Sequence, residues 1–247
     1  SDPSNPVAVG HENSSPFPAT KLAVSGNYAY VAYTDGLVVI DVSDPTNPQA
    51  LGSGGVGGDG NDVALSGNYA FLIEVNSGLQ SIDISDPNNL RVLDTFDTVS
   101  SDLRFIDVSG KYAYITDQDD GLFIIDISDP TNLVQVGTLD NGNAYEVVVK
   151  GRYAYVSDLT GSSIDIIDVS DPTTPVQVGT FALDPGESPE DLMVAGNYLF
   201  VAALAFDLAI LDITSSTNPV RVGTSGGILD GSAWGIFVDG NYVYITS

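Results

Sequence analysis

Cysteine is absent, histidine occurs once, and seven Lys and Arg residues stand against 33 Asp and Glu, for a net charge of -26. The first absence removes disulfides, thiolate nucleophiles and Cys-ligated zinc, and one imidazole cannot build a His cluster. The shortage of cations makes nucleic acid and anionic membrane surfaces poor partners, because both are bound by releasing or pairing charge with Lys and Arg. The longest apolar stretch, Tyr198 to Phe206, is far short of the ~20 residues that span a bilayer, so direct membrane insertion is not expected. A basic segment followed by an apolar one, as in a secretory signal, is also missing. What is present is a 247-residue chain, 43% hydrophobic, with enough apolar material for a sizeable core, which separates it from disordered acidic tails. Of the acids, 28 are Asp and 5 are Glu. That bias suits turns, and it suits oxygen-rich cation or salt environments, which points to an extracellular or cell-surface setting.

Self-similarity organises the chain. A Gly-x-Tyr turn opens an apolar run at Gly26, Gly67, Gly110, Gly151, Gly196 and Gly240. The mean spacing is about 43 residues, within the range of propeller blades. Between these turns lies a second mark, Ile-Asp-Val/Ile-Ser-Asp-Pro, at Ile40 to Pro45, Ile82 to Pro87, Ile125 to Pro130 and Ile167 to Pro172, with a degraded copy at Leu211 to Ser215. Each period reads as four short strands: Val, Ile, Tyr and Phe fill the runs, Gly, Asn, Asp and Pro fill the joints, and no helical periodicity occurs. Units of this size cannot bury their own faces and become stable as radially arranged blades. The spacing therefore predicts an all-β chain, one domain over residues 1–247, forming a six-bladed β-propeller of four-stranded antiparallel blades.

The segments Leu37-Val38-Val39-Ile40-Asp41-Val42-Ser43-Asp44-Pro45 and Leu122-Phe123-Ile124-Ile125-Asp126-Ile127-Ser128-Asp129-Pro130 resemble the LVIVD-repeat β-propellers of bacteria and archaea. The resemblance covers the whole chain and departs from the pattern at Ser162 to Asp165 and at Asp212 to Ser216, where the Asp-Pro is lost. It implies a propeller, often in exported or cell-surface proteins, with no single activity attached.

With strands named A to D from the hub outward, Gly-x-Tyr joins A to B and Ser-Asp-Pro joins C to D. The first residues then supply a lone outer strand over Pro6 to Gly10, residues 234–247 supply strands A and B, and the last blade lacks its strand C. A longer polypeptide would supply that strand and bring the count to seven blades; a neighbouring subunit would donate it, extending into a fibre if the contacts run head to tail; or the blade rearranges locally.

The A–B and C–D turns are short and uniform, whereas the D–A and B–C loops differ in every copy and share one face. Varied loops on a rigid scaffold are where binding usually resides. Six and five residues before each turn glycine, the first strands begin with Thr20, Asn61, Arg104, Tyr145, Glu190 and Trp234, and with Lys21, Asp62, Phe105, Glu146, Asp191 and Gly235. The candidate ligand-binding set at the channel mouth is Asp62, Arg104, Phe105, Tyr145, Glu146, Glu190, Asp191 and Trp234. Such a mixture of aromatic faces, a cation and carboxylates suits a sugar, a peptide or a cation, and local packing between blades is the plain alternative.

Asp117, Asp119 and Asp120, followed by Gly121, form half of a calcium loop, with alternate oxygens and a turn glycine but without the later Glu or flanking helices. Calcium is the one cofactor this suggests, against a solvated acidic turn. The Asp residues that recur in and just before the C–D turns have the pattern of turn formers. No nucleophile–base motif is present, so the reading is a non-catalytic binding or assembly module, extracellular or at the cell surface, with a protein, glycan or second copy as partner. The rivals are a structural fibre subunit and a carboxylate-based hydrolase or lyase, for which Glu146 with Asp191, or Asp62 with Glu146, would supply acid and base.

Overall fold

The computed structural model describes residues 6–12, 18–55, 59–75, 77–97, 102–204, 207–225 and 233–246. Every regular element is a β-strand, as the residue pattern predicts. The first sheet contains β1 (Ala19–Ser25), β2 (Tyr28–Tyr33), β3 (Gly36–Asp41) and β4 (Gln49–Gly54). The second contains β5 (Asp59–Ser66), β6 (Tyr69–Val75), β7 (Gly78–Asp83) and β8 (Arg91–Phe96). The third contains β9 (Leu103–Ser109), β10 (Tyr112–Asp117), β11 (Gly121–Asp126) and β12 (Val134–Leu139). The fourth contains β13 (Ala144–Lys150), β14 (Tyr153–Asp158), β15 (Ser163–Asp168) and β16 (Val176–Ala182), and the fifth contains β17 (Ser188–Ala195), β18 (Tyr198–Leu204), β19 (Asp207–Asp212) and β20 (Val220–Thr224). A sixth sheet has two strands, β21 (Gly235–Asp239) and β22 (Tyr242–Thr246). Neighbours in sequence are neighbours in each sheet, which is the meander of a propeller blade. The sixth blade has no third strand among the described residues. The expected outer strand over Pro6–Gly10 does not form as a strand, although Gly10 lies where a fourth-strand glycine belongs, as shown below.

The chain divides into two compact units, residues 1–112 with 126–134, and residues 113–125 with 135–247. In the first, Tyr30, Leu37 and Val39 of the first blade are buried in one cluster with Val63, Ala70, Leu72, Ile82 and Ile84 of the second. In the second, Tyr155, Ile164 and Ile166 of the fourth blade share a cluster with Leu192, Leu199, Val201 and Leu211 of the fifth. Within each unit a blade thus buries one face against its neighbour, the nearest-neighbour logic of a repeat protein.

The uniform joints are explained by backbone geometry. The A–B turn has two central residues, and its glycine has φ between 57° and 63° in all six copies while the following residue stays at negative φ. This is the type II′ hairpin turn, in which the first central position is open to glycine. At each C–D turn one carboxylate caps the entry and a second caps the turn itself. Asp41 accepts from the Ser43 N–H at 2.8 Å, and Asp44 accepts from the Thr46 N–H at 2.9 Å and its hydroxyl at 2.7 Å. The pairs Asp126 with Asp129 and Asp168 with Asp171 repeat this arrangement. These bonds stabilise the ionised form. Eight such Asp carboxyls, Asp41, Asp44, Asp83, Asp126, Asp129, Asp168, Asp171 and Asp212, are held below the usual range. Asp83 falls to about 2 through Ser85 and then Arg91, and Asp168 to about 2 through Arg152 and then Ser170.

The fourth strands carry a bulge followed by a glycine, and the glycine lets one blade meet the next. A Cβ on Gly52 would lie 2.6 Å from the Pro87 carbonyl oxygen, one on Gly137 2.0 Å from that of Pro172, and one on Gly179 2.7 Å from that of Thr217. Gly10 makes the same approach to Pro45, at 2.3 Å. The second blade is the exception, with Asp94 at the glycine position: its carboxylate accepts from the Leu133 N–H at 2.7 Å, and Ser81 Oγ donates to the Pro130 carbonyl.

Two outcomes follow. Gly137→Ala should destabilise the fold by roughly 1–3 kcal/mol through overpacking, whereas Gly223→Ala, whose Cβ would meet nothing closer than Ile210 Cδ1 at 3.4 Å, should have a small effect; urea unfolding of both variants checks this. Because the turn carboxyls have depressed folded pKa values, their contribution is present above the unfolded value near 4 and is lost as pH falls toward 2. Melting temperature should therefore fall steeply below about pH 4, and an unchanged melting temperature from pH 5 to pH 2 would contradict the capping role.

Candidate functional site

In several blades a residue at the opening of the first strand reaches the following blade. In the first unit, Thr20 Oγ1 donates to the carbonyls of Ala32 at 3.0 Å and Gly60 at 2.7 Å, and Asn61 Nδ2 donates to the Leu103 carbonyl at 2.8 Å. Asp62 is buried, and its two oxygens accept the Val63 N–H at 2.7 Å and the Ile106 N–H of the next first strand at 3.0 Å. Phe105 lies under the Lys21 ammonium, 4.6 Å from Nζ to the ring centroid, and Arg104 pairs with Asp102 at 2.7 Å with about a third of each side chain exposed.

The second unit repeats the scheme with different side chains. Asp191 is buried and accepts from the Leu192 N–H at 3.1 Å and, across to the next first strand, from the Ile236 N–H at 2.8 Å. Glu146 is buried, with Oε1 3.2 Å from the Val147 N–H, and its own N–H donates to Ser157 Oγ at 2.9 Å. The Tyr145 carbonyl accepts from the Thr116 hydroxyl. Glu190 is also buried; burial pushes its carboxyl up, and hydrogen bonds from Ser188 and Tyr145 act in the opposite sense. Trp234, the sole tryptophan of the sequence, is 56% exposed, with its backbone fixed by an N–H bond to the Thr246 carbonyl at 2.9 Å.

Two kinds stand out among the named residues, beside the buried Glu146 and Glu190. Asp62 and Asp191 have an oxygen on each side bound to main-chain N–H groups and act as staples between successive first strands. Trp234, Arg104 and the Lys21–Phe105 pair keep surface for contact with another molecule. Asp62, Arg104 and Phe105 belong to the first unit, and Tyr145, Glu146, Glu190, Asp191 and Trp234 to the second.

At the B–C loop of the third blade, Asp117 is fully buried and its Oδ1 accepts from the N–H groups of Asp119 at 2.9 Å and Asp120 at 2.8 Å, while Asp119 and Asp120 themselves are exposed. The loop is thus a capped turn. Among the described residues no group of three or more His, Cys, Asp or Glu is gathered as for a metal ion. Asp158 caps the equivalent loop of the fourth blade through the Gly161 N–H at 2.8 Å and the Thr160 hydroxyl. Of the varied loops, residues 13–17, 56–58, 98–101 and 226–232 lie outside the described residues, as does Asp2.

Two polar pairings, Glu74 with Gln80 and Arg221 with Glu187 and Asp184, are not anticipated by the sequence reading, which places Glu74 only among the acidic B–C positions that suit weak cation sites. Glu74 is fully buried, its Oε2 accepts from the equally buried Gln80, and its Oε1 has no hydrogen-bond partner among the described residues; burial raises its carboxyl. The detectable signal was a pair of interruptions, Glu in the apolar run Tyr69–Val75 and Gln in the following Leu79 to Ile82. Arg221 of β20 grips buried Glu187 at 2.5 Å and exposed Asp184 at 2.7 Å, and Glu187 in turn accepts from the Asp184 N–H at 2.8 Å. This pin orders the D–A loop over Asp184–Pro189. It joins residues more than 30 positions apart, so no local pattern announced it.

Among solved structures, the chain resembles a functionally unknown protein from Desulfotomaculum acetoxidans, with a TM-score of 0.74 at 15% identity over 91% of this chain and 76% of that one. A protein from Lactobacillus plantarum aligns with a TM-score of 0.73 at 16% identity over 83% and 70% of the two chains. The periplasmic gluconolactonase of Pseudomonas aeruginosa aligns with a TM-score of 0.71 at 15% identity over 87% and 73%. At these identities the likeness is one of fold. No curated protein sequence matches the chain. The model of the LVIVD repeat matches six times, over residues 18–53, 57–98, 102–141, 141–182, 186–225 and 230–247. With repeats covering nearly its whole length, joined by the turns and seams described above, the chain belongs to the LVIVD-repeat family.

Proposed function

We propose that this propeller is a non-catalytic binding module, working outside the cell or at the cell surface, whose partner, a glycan or a protein segment, is held by the varied D–A and B–C loops and the first-strand residues beside them. The observation that carries this reading is the division of labour among those residues. Asp62 and Asp191, two of the carboxylates on which a hydrolase would depend, each accept a main-chain N–H of the next first strand, from Ile106 and Ile236, which supports a seam role for them. An exposed indole supplies contact area and stacking at small entropic cost, as aromatic residues do in sugar and peptide sites. The Arg221–Glu187–Asp184 pin keeps one loop ordered before any partner arrives, which lowers the cost of binding. The Asp-rich composition and the charge of -26 fit a saline exterior, where repulsion within the molecule is screened.

The single tryptophan makes the test direct. Titration of the protein with panels of neutral oligosaccharides and of peptides, read by Trp234 fluorescence, should give at least one saturable change, and Trp234→Ala should weaken that binding about tenfold or more, measured by calorimetry. Asp191→Asn should leave binding within a few-fold. Hydrolysis of a glycan or an aldonolactone above the buffer rate, abolished by Glu146→Gln or Asp191→Asn, would replace this reading with a catalytic one.

A further inference from the structure

The A–B and C–D turns are so uniform that a departure among them stands out. The fifth C–D turn, Asp212 to Ser216, lacks the Asp-Pro of the first four. The turn forms all the same. Asp212 accepts from the Thr214 N–H at 2.8 Å, and the Asn218 N–H donates to the Ser215 carbonyl at 2.9 Å, as the Asn47 N–H does to that of Asp44 at 3.0 Å. Ser215 and Ser216 therefore take away a carboxylate and a ring without taking away the turn. The neighbouring A–B turn, in the fourth blade, departs as well. The residue before its glycine is Lys150, where the first three blades have Ser25, Ser66 and Ser109. The residue after it is Arg152, where Asn27, Asn68, Asn197 and Asn241 stand in four of the other turns. Two of the seven cations in the sequence thus flank one glycine, beside the C–D turn that has no Asp-Pro.

The two turns border a groove of about 340 Å³ whose walls include Lys150, Arg152, Asn197, Thr214 and Ser216. The matching groove of the first and second blades, of about 290 Å³, has Ser25, Asn27, Asn68, Ser85 and Pro87 in their places. The seam of the fourth and fifth blades therefore gains two cations and a hydroxyl, and its C–D turn has Ser215 where the other has Asp86. Lys150 Nζ donates to the Gly196 carbonyl and to Asn197 Oδ1 at 3.2 Å, and Arg152 pairs with Asp168 through Nε at 3.4 Å and through Nη2. An ammonium carries three N–H donors and a guanidinium five, so these contacts leave donors on both. The carboxylates of the two turns are engaged, Asp168 by Arg152 and the Ser170 N–H and Asp212 by the Thr214 N–H.

We propose that this groove binds a tetrahedral oxyanion, a sulfate or phosphate group, on the face opposite the varied loops. Lys150 supplies a compact charge, Arg152 a planar fork, and Thr214 and Ser216 hydroxyl donors. Donors of such different reach around one space suit an ion whose oxygens point in four directions. With a net charge of -26 the protein as a whole repels anions, which favours one anionic group in one groove over the many contacts of a nucleic acid. The site is separate from the loop face of the proposed binding function and does not rest on it.

The probe is inorganic sulfate, titrated into the isotope-labelled protein at an ionic strength held constant with sodium chloride and followed by amide NMR shifts. Gly151, Arg152, Asn197, Thr214 and Ser216 should shift together and saturate with a Kd of about 1 mM or tighter, while Gly26, Asn68 and Ser85 of the matching groove stay in place. Lys150→Ser with Arg152→Asn gives the A–B turn the residues of the first blade, and Ser215→Asp with Ser216→Pro restores the ordinary C–D turn. Each pair of changes has a precedent in this fold, and each should weaken sulfate binding about tenfold or more while amide shifts away from the groove are kept. A monosaccharide sulfate is the second probe: binding equal to that of sulfate marks the free ion as the ligand, and tighter binding marks a sulfate ester. The proposal is overturned by the absence of a saturable shift at tens of millimolar sulfate, by an equal response to acetate, or by either folded variant binding sulfate as the parent does.

Discussion

No blade in this protein can bury both of its faces alone, and each therefore depends on the seam it makes with its neighbour. The apolar part of that seam is an aromatic and branched aliphatic layer, as where Tyr155, Ile164 and Ile166 meet Leu192 and Leu199. Such contacts are strong but weakly directional. Register along the seam comes from a polar set at its two ends. At one end, first-strand carboxylates reach the N–H of the next first strand; at the other, a fourth-strand glycine admits the next C–D turn to within a distance that a methyl group would forbid. The turns that repeat from blade to blade and the mouth that varies are thus two ends of one mechanical requirement.

The second blade shows how that requirement is met by other chemistry. Asp94 stands where Gly52, Gly137, Gly179 and Gly223 stand elsewhere, and Ser81 replaces the aliphatic residue of Val39, Ile166 and Ile210. Taken singly, each substitution would damage the seam: the carboxylate would be crowded and the hydroxyl would lack a partner. Together they convert close backbone approach into two hydrogen bonds, to the Leu133 N–H and the Pro130 carbonyl. Removing one partner of such a pair is expected to cost more than the pair contributes, since the other group is left desolvated.

Much of the fold was legible because its signals are local and recur. The type II′ glycine and the paired turn Asp residues act within a few residues of themselves, and six copies lift them above chance. The chemistry at the mouth was legible as residue types but not as roles. Asp62 and Asp191 read as ligand carboxylates by position, and in the structure each accepts a main-chain N–H 44 or 45 residues away, a contact that no side-chain pattern encodes. Asp117 likewise has the spacing of a calcium ligand, while the geometry turns it inward onto the Asp119 and Asp120 amides. The outer strand expected over Pro6–Gly10 includes Val7-Ala8-Val9-Gly10, the same Val-x-Val-Gly run as Val134 to Gly137 and Val176 to Gly179, and Gly10 keeps the close approach to Pro45 that this signature serves in those strands. Strand hydrogen bonding needs a partner strand as well as a sequence, and the signature speaks only for the sequence.

The acidic charge looks, from composition, like a single property of the molecule, yet its members act in opposite senses. The turn Asp residues are ionised at little cost because neighbouring N–H groups and hydroxyls stabilise the charge in contact with water. Glu74 and Glu190 are buried and pushed toward the neutral form. A raised folded pKa favours the folded state below the unfolded value and weakens it as pH rises through the folded one, the reverse of the turn carboxyls. Glu74 faces Gly78 across the sheet, and Gln80, two positions further along the same strand, reaches one of its oxygens, while the other has no partner among the described residues. The turn carboxylates make the repeat; the buried ones are carried by it. Function is therefore to be sought where aromatic surface is spent on neither task, as at Trp234.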